Sequence, residues 1–140
     1  MDGLAVMVLL RHDLPDGSSH FDWLLERPSH PGLLTFRVQE RIDRPEEGSG
    51  RFTATRLADH RRAYLIYEGP VSGERGSVTR VAEGTCELQD RTDGIRILGS
   101  FGGEVWVYDG QPLRSGDDSD TWQFVTSMDQ GARGSRKTTP

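Results

Sequence analysis

Short runs of alternating apolar and polar residues recur along the chain, separated by glycine, proline, serine and aspartate. The clearest run covers residues 20–26, where the apolar positions are Phe21, Trp23 and Leu25. Because successive side chains of a strand point to opposite faces, this run predicts a β-strand with one face buried in a core. The opposite face would then carry His20, Asp22 and Glu26.

The same signals predict further strands between short turns. These strands cover residues 5–12, 33–39, 53–57, 64–68, 77–82, 85–89, 95–98, 104–108 and 121–126. No segment has a convincing helical periodicity, and one helical turn is expected over residues 58–63. Closely spaced strands without helices between them are typical of an all-β (mainly β) fold, and we expect a compact antiparallel β-barrel with short helical turns and long loops.

The length of 140 residues fits one domain with a sizeable core. We place this domain at residues 1–128. Residues 129–140 lack apolar periodicity and are expected to form a disordered C-terminal tail. Within the domain, residues 41–51 and 109–120 are rich in polar and turn-forming residues and are expected to be loops.

Composition narrows the class of protein and of partner. A net charge of −5 and a pI near 5.3 argue against a broad basic surface for long nucleic acid, but they leave room for a local phosphate pocket. The single cysteine, Cys86, cannot form an internal disulfide, which suits a reducing cytoplasm. The apolar run at residues 4–10 is too short to span a bilayer, so we expect a buried strand and no membrane partner. We also expect the protein to be cytoplasmic and monomeric.

Three side chains in the first two predicted strands form a candidate metal site. If these strands pair across the polar turn at residues 13–19, His12 and His20 become cross-strand neighbours about 5 Å apart. Asp22 lies two residues after His20 and therefore on the same face. Two imidazoles and a carboxylate suit a divalent ion such as manganese, iron or zinc and leave positions open for substrate. The alternative is that the histidines are polar strand ends and Asp22 pairs with an arginine.

Other candidate residues carry weaker signals. His60 lies between Asp59 and two arginines, an arrangement usual for a surface residue, and Tyr64 follows four positions later. Glu26 and Glu68 are candidates either to orient a ligating histidine or to form ordinary salt bridges. The glycines in residues 69–76 form an amide-rich loop that either cradles a phosphate or only turns the chain.

Several of these motifs occur together in a known family. The chain resembles the phosphoesterase domain of bacterial DNA ligase D, which is also found as small free-standing proteins. The resemblance covers roughly residues 7–100 and rests on Arg11-His12-Asp13, on the run His20-Phe21-Asp22-Trp23-Leu24-Leu25-Glu26, and on Asp59-His60 followed by Tyr64, Tyr67-Glu68-Gly69-Pro70 and Gly73.

The resemblance implies a fold and an activity. In that family a compact β-barrel carries a manganese-dependent site that removes a terminal ribonucleoside and then the 3′-phosphate from DNA ends during break repair. By the matching motifs, His12, His20 and Asp22 are expected to bind the metal, with zinc or iron as other candidates. His60 and Tyr64 are expected to contact the scissile phosphate. A repair ligase or polymerase is the implied protein partner.

One departure from the family motif bears on activity. Active members usually carry an arginine where this chain has Leu24, and leucine cannot grip a phosphate in a bidentate manner. Arg11, Arg62 and Arg75 are the candidates to supply the missing phosphate-binding charge. Without such a replacement, we expect metal binding with weak or altered phosphoesterase activity.

Two other functions fit the same residues. The first is a small iron-dependent oxygenase-like barrel in which His20, Asp22 and His60 form the metal triad. The second is a non-catalytic module that uses the metal or phosphate site to dock a DNA-repair partner. Hydrolysis of a 3′-end substrate distinguishes the phosphoesterase from both alternatives.

Overall fold

The computed structural model describes residues 4–113 and 120–129 and is almost entirely β. The strands are β1 (Ala5–Asp13), β2 (Ser19–Leu25), β3 (Leu33–Val38), β4 (Arg51–His60), β5 (Gly69–Pro70), β6 (Ser77–Arg91), β7 (Gly94–Ser100), β8 (Trp106–Pro112) and β9 (Thr121–Met128). Two short 3₁₀ turns cover Pro45–Glu47 and Arg62–Leu65. The prediction of an all-β fold with short helical turns is therefore confirmed.

The described strands form one antiparallel sheet that closes on itself. Its order is β1-β2-β3-β4-β9-β8-β7-β6, and β6 pairs with β1 to complete a ring, while the short β5 adds to the first residues of β6. Most neighbours in this order are consecutive in sequence because most connections are hairpins. A two-residue turn at Thr92 and Asp93 joins β6 to β7.

The interior of the ring is a single apolar core to which all eight ring strands contribute. Trp23 is completely buried near its centre, with Tyr108 and Phe124 at ring-centroid distances of 5.0 and 5.5 Å. Tyr108 keeps its hydroxyl satisfied because it donates a hydrogen bond of 2.8 Å to the Ile42 carbonyl, and burial raises the pKa of this phenol. The core therefore fixes which face of each strand points inward.

A second apolar cluster lies on the outer face of the ring. Its fully or nearly fully buried members are Val8, Leu10, Leu24, Leu33 and Val78, which alternate along their strands with interior residues. Tyr64, Leu65 and Val71 pack against this cluster. The chain between β4 and β6, which we call the cover segment (residues 61–76), thus shields one side of the ring from water.

The structure differs from the predicted elements where long-range contacts decide the conformation. Residues 64–68 are not a strand: the 3₁₀ turn Arg62–Leu65 lets Tyr64 and Leu65 pack on the outer cluster and leaves Ile66 exposed. The helical turn expected over residues 58–63 therefore lies later, and β4 continues to His60.

The two strands predicted over residues 77–82 and 85–89 are one continuous strand, β6. Gly84, between the two predicted strands, permits close approach to β7, since a Cβ there would lie 2.8 Å from the Ser100 carbonyl carbon. A bulge opposite Leu9 and Leu10 lets both Val81 and Ala82 pack against the interior core.

The C-terminal predictions are only partly covered by the described residues. Residues 109–112 belong to β8 and not to a loop, whereas residues 114–119 lie outside the described part of the chain. The predicted tail also lies outside it, except for Asp129, whose amide donates a hydrogen bond of 3.0 Å to the Val105 carbonyl.

Within the described ranges, no helix has the length and apolar character needed to cross a membrane.

Gly110 tests the packing of the interior core. An added Cβ would lie 2.5 Å from Cζ of Phe124, which stacks on Phe52 at 5.1 Å. We expect Gly110→Ala to lower the free energy of unfolding by about 1–3 kcal/mol, because the Phe124 ring must shift within a filled core. Urea denaturation measures the loss.

Gly103→Ala is the matched control, because an added Cβ there has no neighbour within 4 Å. This variant should change the free energy of unfolding by less than about 0.5 kcal/mol. Equal effects of the two variants would contradict the packing described for Gly110.

Candidate metal centre

The β1–β2 hairpin brings the two predicted histidine ligands together. His12 and His20 are direct partners in the strand register, and their rings lie 4.8 Å apart at 71°. The turn is closed by a hydrogen bond of 2.8 Å from the Leu14 amide to the Ser18 carbonyl. Asp16 accepts hydrogen bonds from the amide and hydroxyl of Ser18, which lower the pKa of its carboxyl. The predicted pairing of His12 and His20 is therefore confirmed.

Asp22 completes a compact group with these histidines, which we call the metal triad. Its Oδ2 lies 3.6 Å from Nδ1 of His12, and its Oδ1 lies 3.3 Å from Nε2 of His20. One possible ligand atom from each residue lies within 4.8 Å of the others. The His12 side chain is 14% exposed, whereas those of His20 and Asp22 are 4% and 5% exposed. The three groups are therefore close enough to share one ion and are largely shielded from water.

A backbone carbonyl from the cover segment orients His12. Nε2 of His12 lies 2.7 Å from the carbonyl oxygen of Arg75. Because a carbonyl can only accept, Nε2 carries the hydrogen and neutral His12 has its lone pair on Nδ1, the atom facing Asp22. Gly76 permits this approach: its φ is +92°, and a Cβ there would collide with the Asp13 carbonyl. The glycine-rich loop thus supplies an orienting acceptor to a candidate ligand.

Two atoms of the metal triad are buried without a hydrogen-bond partner. They are Nε2 of His20 and Oδ1 of Asp22, which face one another. Unsatisfied buried polar atoms are uncommon because each loses its hydration without compensation. A divalent ion between them would satisfy both, and the donor set of two imidazole nitrogens and a carboxylate suits such an ion. The residues present therefore fit a metal.

The metal triad is a better match than either alternative drawn from the sequence. Among the described residues, Asp22 forms no ion pair with an arginine, so the strand-end explanation is wrong on this point. The group able to hold an ion contains His12, and His60 is not part of it. The ligand set expected for the oxygenase-like alternative is therefore not the one that assembles.

An open cleft of about 480 Å³ adjoins the metal triad. Its lining includes His12 and Asp22 from the β1–β2 hairpin, and His60 and Tyr64 from the end of β4 and the cover segment. His20 is not among the lining residues. Two of the three predicted ligands and both predicted phosphate-contacting residues thus line one cleft.

His60 is held at the end of β4 beside Tyr64. Its Nδ1 lies 3.1 Å from the Ala58 carbonyl and must donate to it, which leaves Nε2 as the ring atom able to contact a ligand. The rings of His60 and Tyr64 lie 5.8 Å apart, and Tyr64 meets Tyr67 edge-on at 5.7 Å. Packing of Tyr64 on the outer apolar cluster fixes this arrangement.

The arginines expected to bind phosphate lie in different environments. Arg11 is exposed, pairs with Asp13 at 3.0 Å and does not line the cleft. Arg62 is bound by Glu26 and also lies outside the cleft lining. Arg75 does line the cleft, but its guanidinium donates to the carbonyl and hydroxyl of Ser72. Of the three, only Arg75 is near the candidate site.

The carboxylates expected to orient the histidines are engaged elsewhere. Glu26 accepts a hydrogen bond of 2.9 Å from the Val6 amide and binds Arg62. Glu68 accepts a hydrogen bond of 2.8 Å from the Arg80 amide. Neither carboxylate therefore contacts a histidine of the metal triad. The contact that orients His12 comes from the Arg75 carbonyl instead.

Sequence reasoning missed one cleft residue, Arg37. It is the cross-strand partner of Asp22 on β3 and lines the cleft. The available signal was alternation in Leu34-Thr35-Phe36-Arg37-Val38, which puts Arg37 on the face opposite the apolar core. Leu24, at the position where the family resemblance expects arginine, is completely buried in the outer cluster and does not line the cleft.

Comparison with known proteins adds no family assignment. The chain matches no protein-family model, and it has no significant match among curated proteins. The likeness to the ligase D phosphoesterase domain therefore stays a prediction that rests on its sequence motifs.

The metal triad predicts one divalent-ion site. We expect isothermal titration with Mn²⁺ or Zn²⁺ to show about one ion bound per chain, since the triad offers a single set of ligands. His20→Ala removes a ligand and should weaken binding by at least about 100-fold, the upper end of the loss seen when only an outer contact is removed.

Two matched histidine variants serve as controls for this titration. His30→Ala changes an exposed turn residue, and His60→Ala changes a cleft residue outside the triad. Both should bind the ion within about threefold of the parent protein, because neither removes a ligand. A large loss in His60→Ala with binding retained in His12→Ala would contradict this ligand set.

Proposed function

We propose that the protein is a metal-dependent phosphoesterase that acts on 3′-phosphate or 3′-ribonucleoside ends of DNA in repair, with manganese as its metal. One observation carries the proposal: the metal triad and the pair His60 and Tyr64 adjoin the same open cleft. Phosphoester hydrolysis needs a cation at the phosphate and hydrogen-bond donors for its developing charge, and the cleft offers both kinds of group.

His12, His20 and Asp22 would hold the metal. When bound, a divalent cation polarises a phosphoryl oxygen and lowers the pKa of water, which makes hydrolysis feasible at neutral pH. The Arg75 carbonyl keeps the lone pair of His12 on Nδ1, the atom that faces Asp22 and that would bind the metal. The buried side of the triad, at His20, keeps competing water away from the ligand atoms.

His60 and Tyr64 would act on a phosphate bound in the same cleft. With its Nδ1 hydrogen committed to Ala58, a protonated His60 can donate from Nε2 to a phosphate oxygen or to the leaving oxygen. The hydroxyl of Tyr64 is a second donor. Such donors stabilise the transition state most when their positions are fixed beforehand, as the packing of Tyr64 provides.

The local charge of the cleft suits an anionic substrate although the whole chain is acidic. Arg37, Arg61 and Arg75 line it together with two acids, Asp22 and Asp59. Asp59 is paired with Arg27, and Asp22 would be neutralised by the metal. The surplus is positive in the cleft against a net charge of −5 overall, which favours a phosphate end over a long duplex.

The setting in repair follows from the resemblance alone. We propose that the protein works in the cytoplasm beside a DNA-repair ligase or polymerase that uses the processed 3′ hydroxyl. Co-purification with such a partner is a separate question from the chemistry, because the cleft needs no second chain to bring its groups together.

A 3′-end assay tests the function. With Mn²⁺ and a 3′-phosphorylated primer-template, the protein should release inorganic phosphate, and chelation of the metal should stop the reaction. His20→Ala should abolish turnover. His60→Ala should lower kcat by about 100-fold or more, the usual effect of removing a transition-state donor or general acid. His30→Ala should retain full activity.

The assay also separates the alternatives. Binding of a 3′-phosphorylated end without release of phosphate would favour the non-catalytic docking module. Turnover that survives His20→Ala would contradict the proposed metal centre, since that variant lacks a ligand.

A further inference from the structure

Asp22 has an arginine directly beside it in the sheet. Its cross-strand partners are Leu10 on β1 and Arg37 on β3. Arg37 lies on the outer side of β3, because Leu34, Phe36 and Val38 all belong to the interior core. The metal triad and this guanidinium are therefore held by three adjacent, hydrogen-bonded strands.

Arg37 has no protein partner for its charge among the described residues. Its Nε is buried without a hydrogen-bond acceptor, and its guanidinium forms no ion pair, not even with Asp22. By contrast, the arginine of the cover segment, Arg75, is bound to Ser72. Arg37 is thus the part-buried cation of the cleft whose donors are free.

A half-buried guanidinium without an acceptor is unfavourable in the free protein. It has lost part of its hydration and gains no hydrogen bond in return. Its rigid fork of donors matches the oxygens of a phosphate, which would restore those hydrogen bonds. Its place next to Asp22 would put such an anion within reach of the metal ligands as well.

We propose that Arg37 is the residue that binds the substrate phosphate, in place of the arginine that the family resemblance expects at Leu24. The inference rests on the proposed function and names the cation that holds a phosphate ester against the metal. In this chain the phosphate-binding charge would come from β3, where the family resemblance expects it on β2. Leu24 on β2 belongs to the outer apolar cluster.

The packing of Leu24 explains why the charge belongs on β3. Leu24 is fully buried with Val8, Leu10 and Leu33 around it. An arginine there would have to place its charge among apolar side chains or break their contacts. The cross-strand partner of Leu24 is Thr35, whereas Arg37, two residues further along β3, is opposite Asp22 and lines the cleft.

Phosphate binding tests the assignment without requiring turnover. Inorganic phosphate is titrated calorimetrically into Mn²⁺-loaded protein and into Arg37→Gln. We expect the variant to bind phosphate about 10- to 100-fold more weakly, the effect of losing a charge-assisted hydrogen bond worth about 1.5–3 kcal/mol. Arg37→Lys keeps the charge but not the fork and should lie between the two.

Two controls isolate the role of Arg37. Arg51→Gln removes the same charge from an exposed arginine that does not line the cleft, and it should change phosphate affinity by less than about threefold. Mn²⁺ affinity should not fall in Arg37→Gln, since no ligand is lost. Because Nε has no acceptor to lose, the metal-free variant should unfold at a urea concentration no lower than that of the parent.

The outcomes distinguish failure of the Arg37 assignment from failure of the proposed phosphoesterase activity. Equal phosphate affinities in Arg37→Gln and Arg51→Gln, or no phosphate binding by the parent protein, would overturn the assignment. Phosphate binding that depends on Arg37 without hydrolysis of any 3′ end would sustain it while the proposed activity fails. Hydrolysis with kcat and KM unchanged in Arg37→Gln would sustain the activity and reject Arg37.

Discussion

The pairing of β1 with β2 in one register is the constraint on which the site depends. The same alternation that buries Trp23 in the ring holds Asp22 on the outer face and sets His20 opposite His12. A slip of one residue would expel the indole and bury the carboxylate in the core. The aromatic core therefore fixes the geometry of the metal triad, although none of its side chains contributes a ligand atom.

The cover segment links folding of the outer face to assembly of the site. Tyr64 and Val71 shield the outer apolar cluster, and the same stretch of chain carries the Arg75 carbonyl to His12. Gly76 is needed for this approach because the backbones of the turn and of β1 almost touch. Displacement of the cover segment would therefore have two effects at once. It would expose the outer apolar cluster to water, and it would remove the carbonyl that orients His12.

Alternation in the sequence was sufficient to predict the elements nearest the site. It gave the first two strands almost to the residue and the three members of the metal triad, because a hairpin is a local structure whose partners follow from its turn. It was insufficient for residues 64–68, where an apolar run becomes a 3₁₀ turn packed on a distant surface. Arg37 was missed for the same reason: its neighbour Asp22 is known only once β2 and β3 are paired.

Several buried polar atoms of the described residues have no hydrogen-bond partner. A cation between Nε2 of His20 and Oδ1 of Asp22 would satisfy both atoms, and an acceptor would satisfy Nε of Arg37. Nε1 of Trp23 is also buried without an acceptor, but it lies in the interior core and does not line the cleft. Arg27 and Arg56 have buried Nε atoms without acceptors too, but their guanidiniums share Asp59 as an ion-pair partner, whereas Arg37 has none among the described residues. Under the proposed function, a metal ion and a phosphate oxyanion would meet both needs on adjacent strands. Because folding brings the ligand atoms together, such a pair would bind the folded chain more tightly than the unfolded chain and would stabilise the fold.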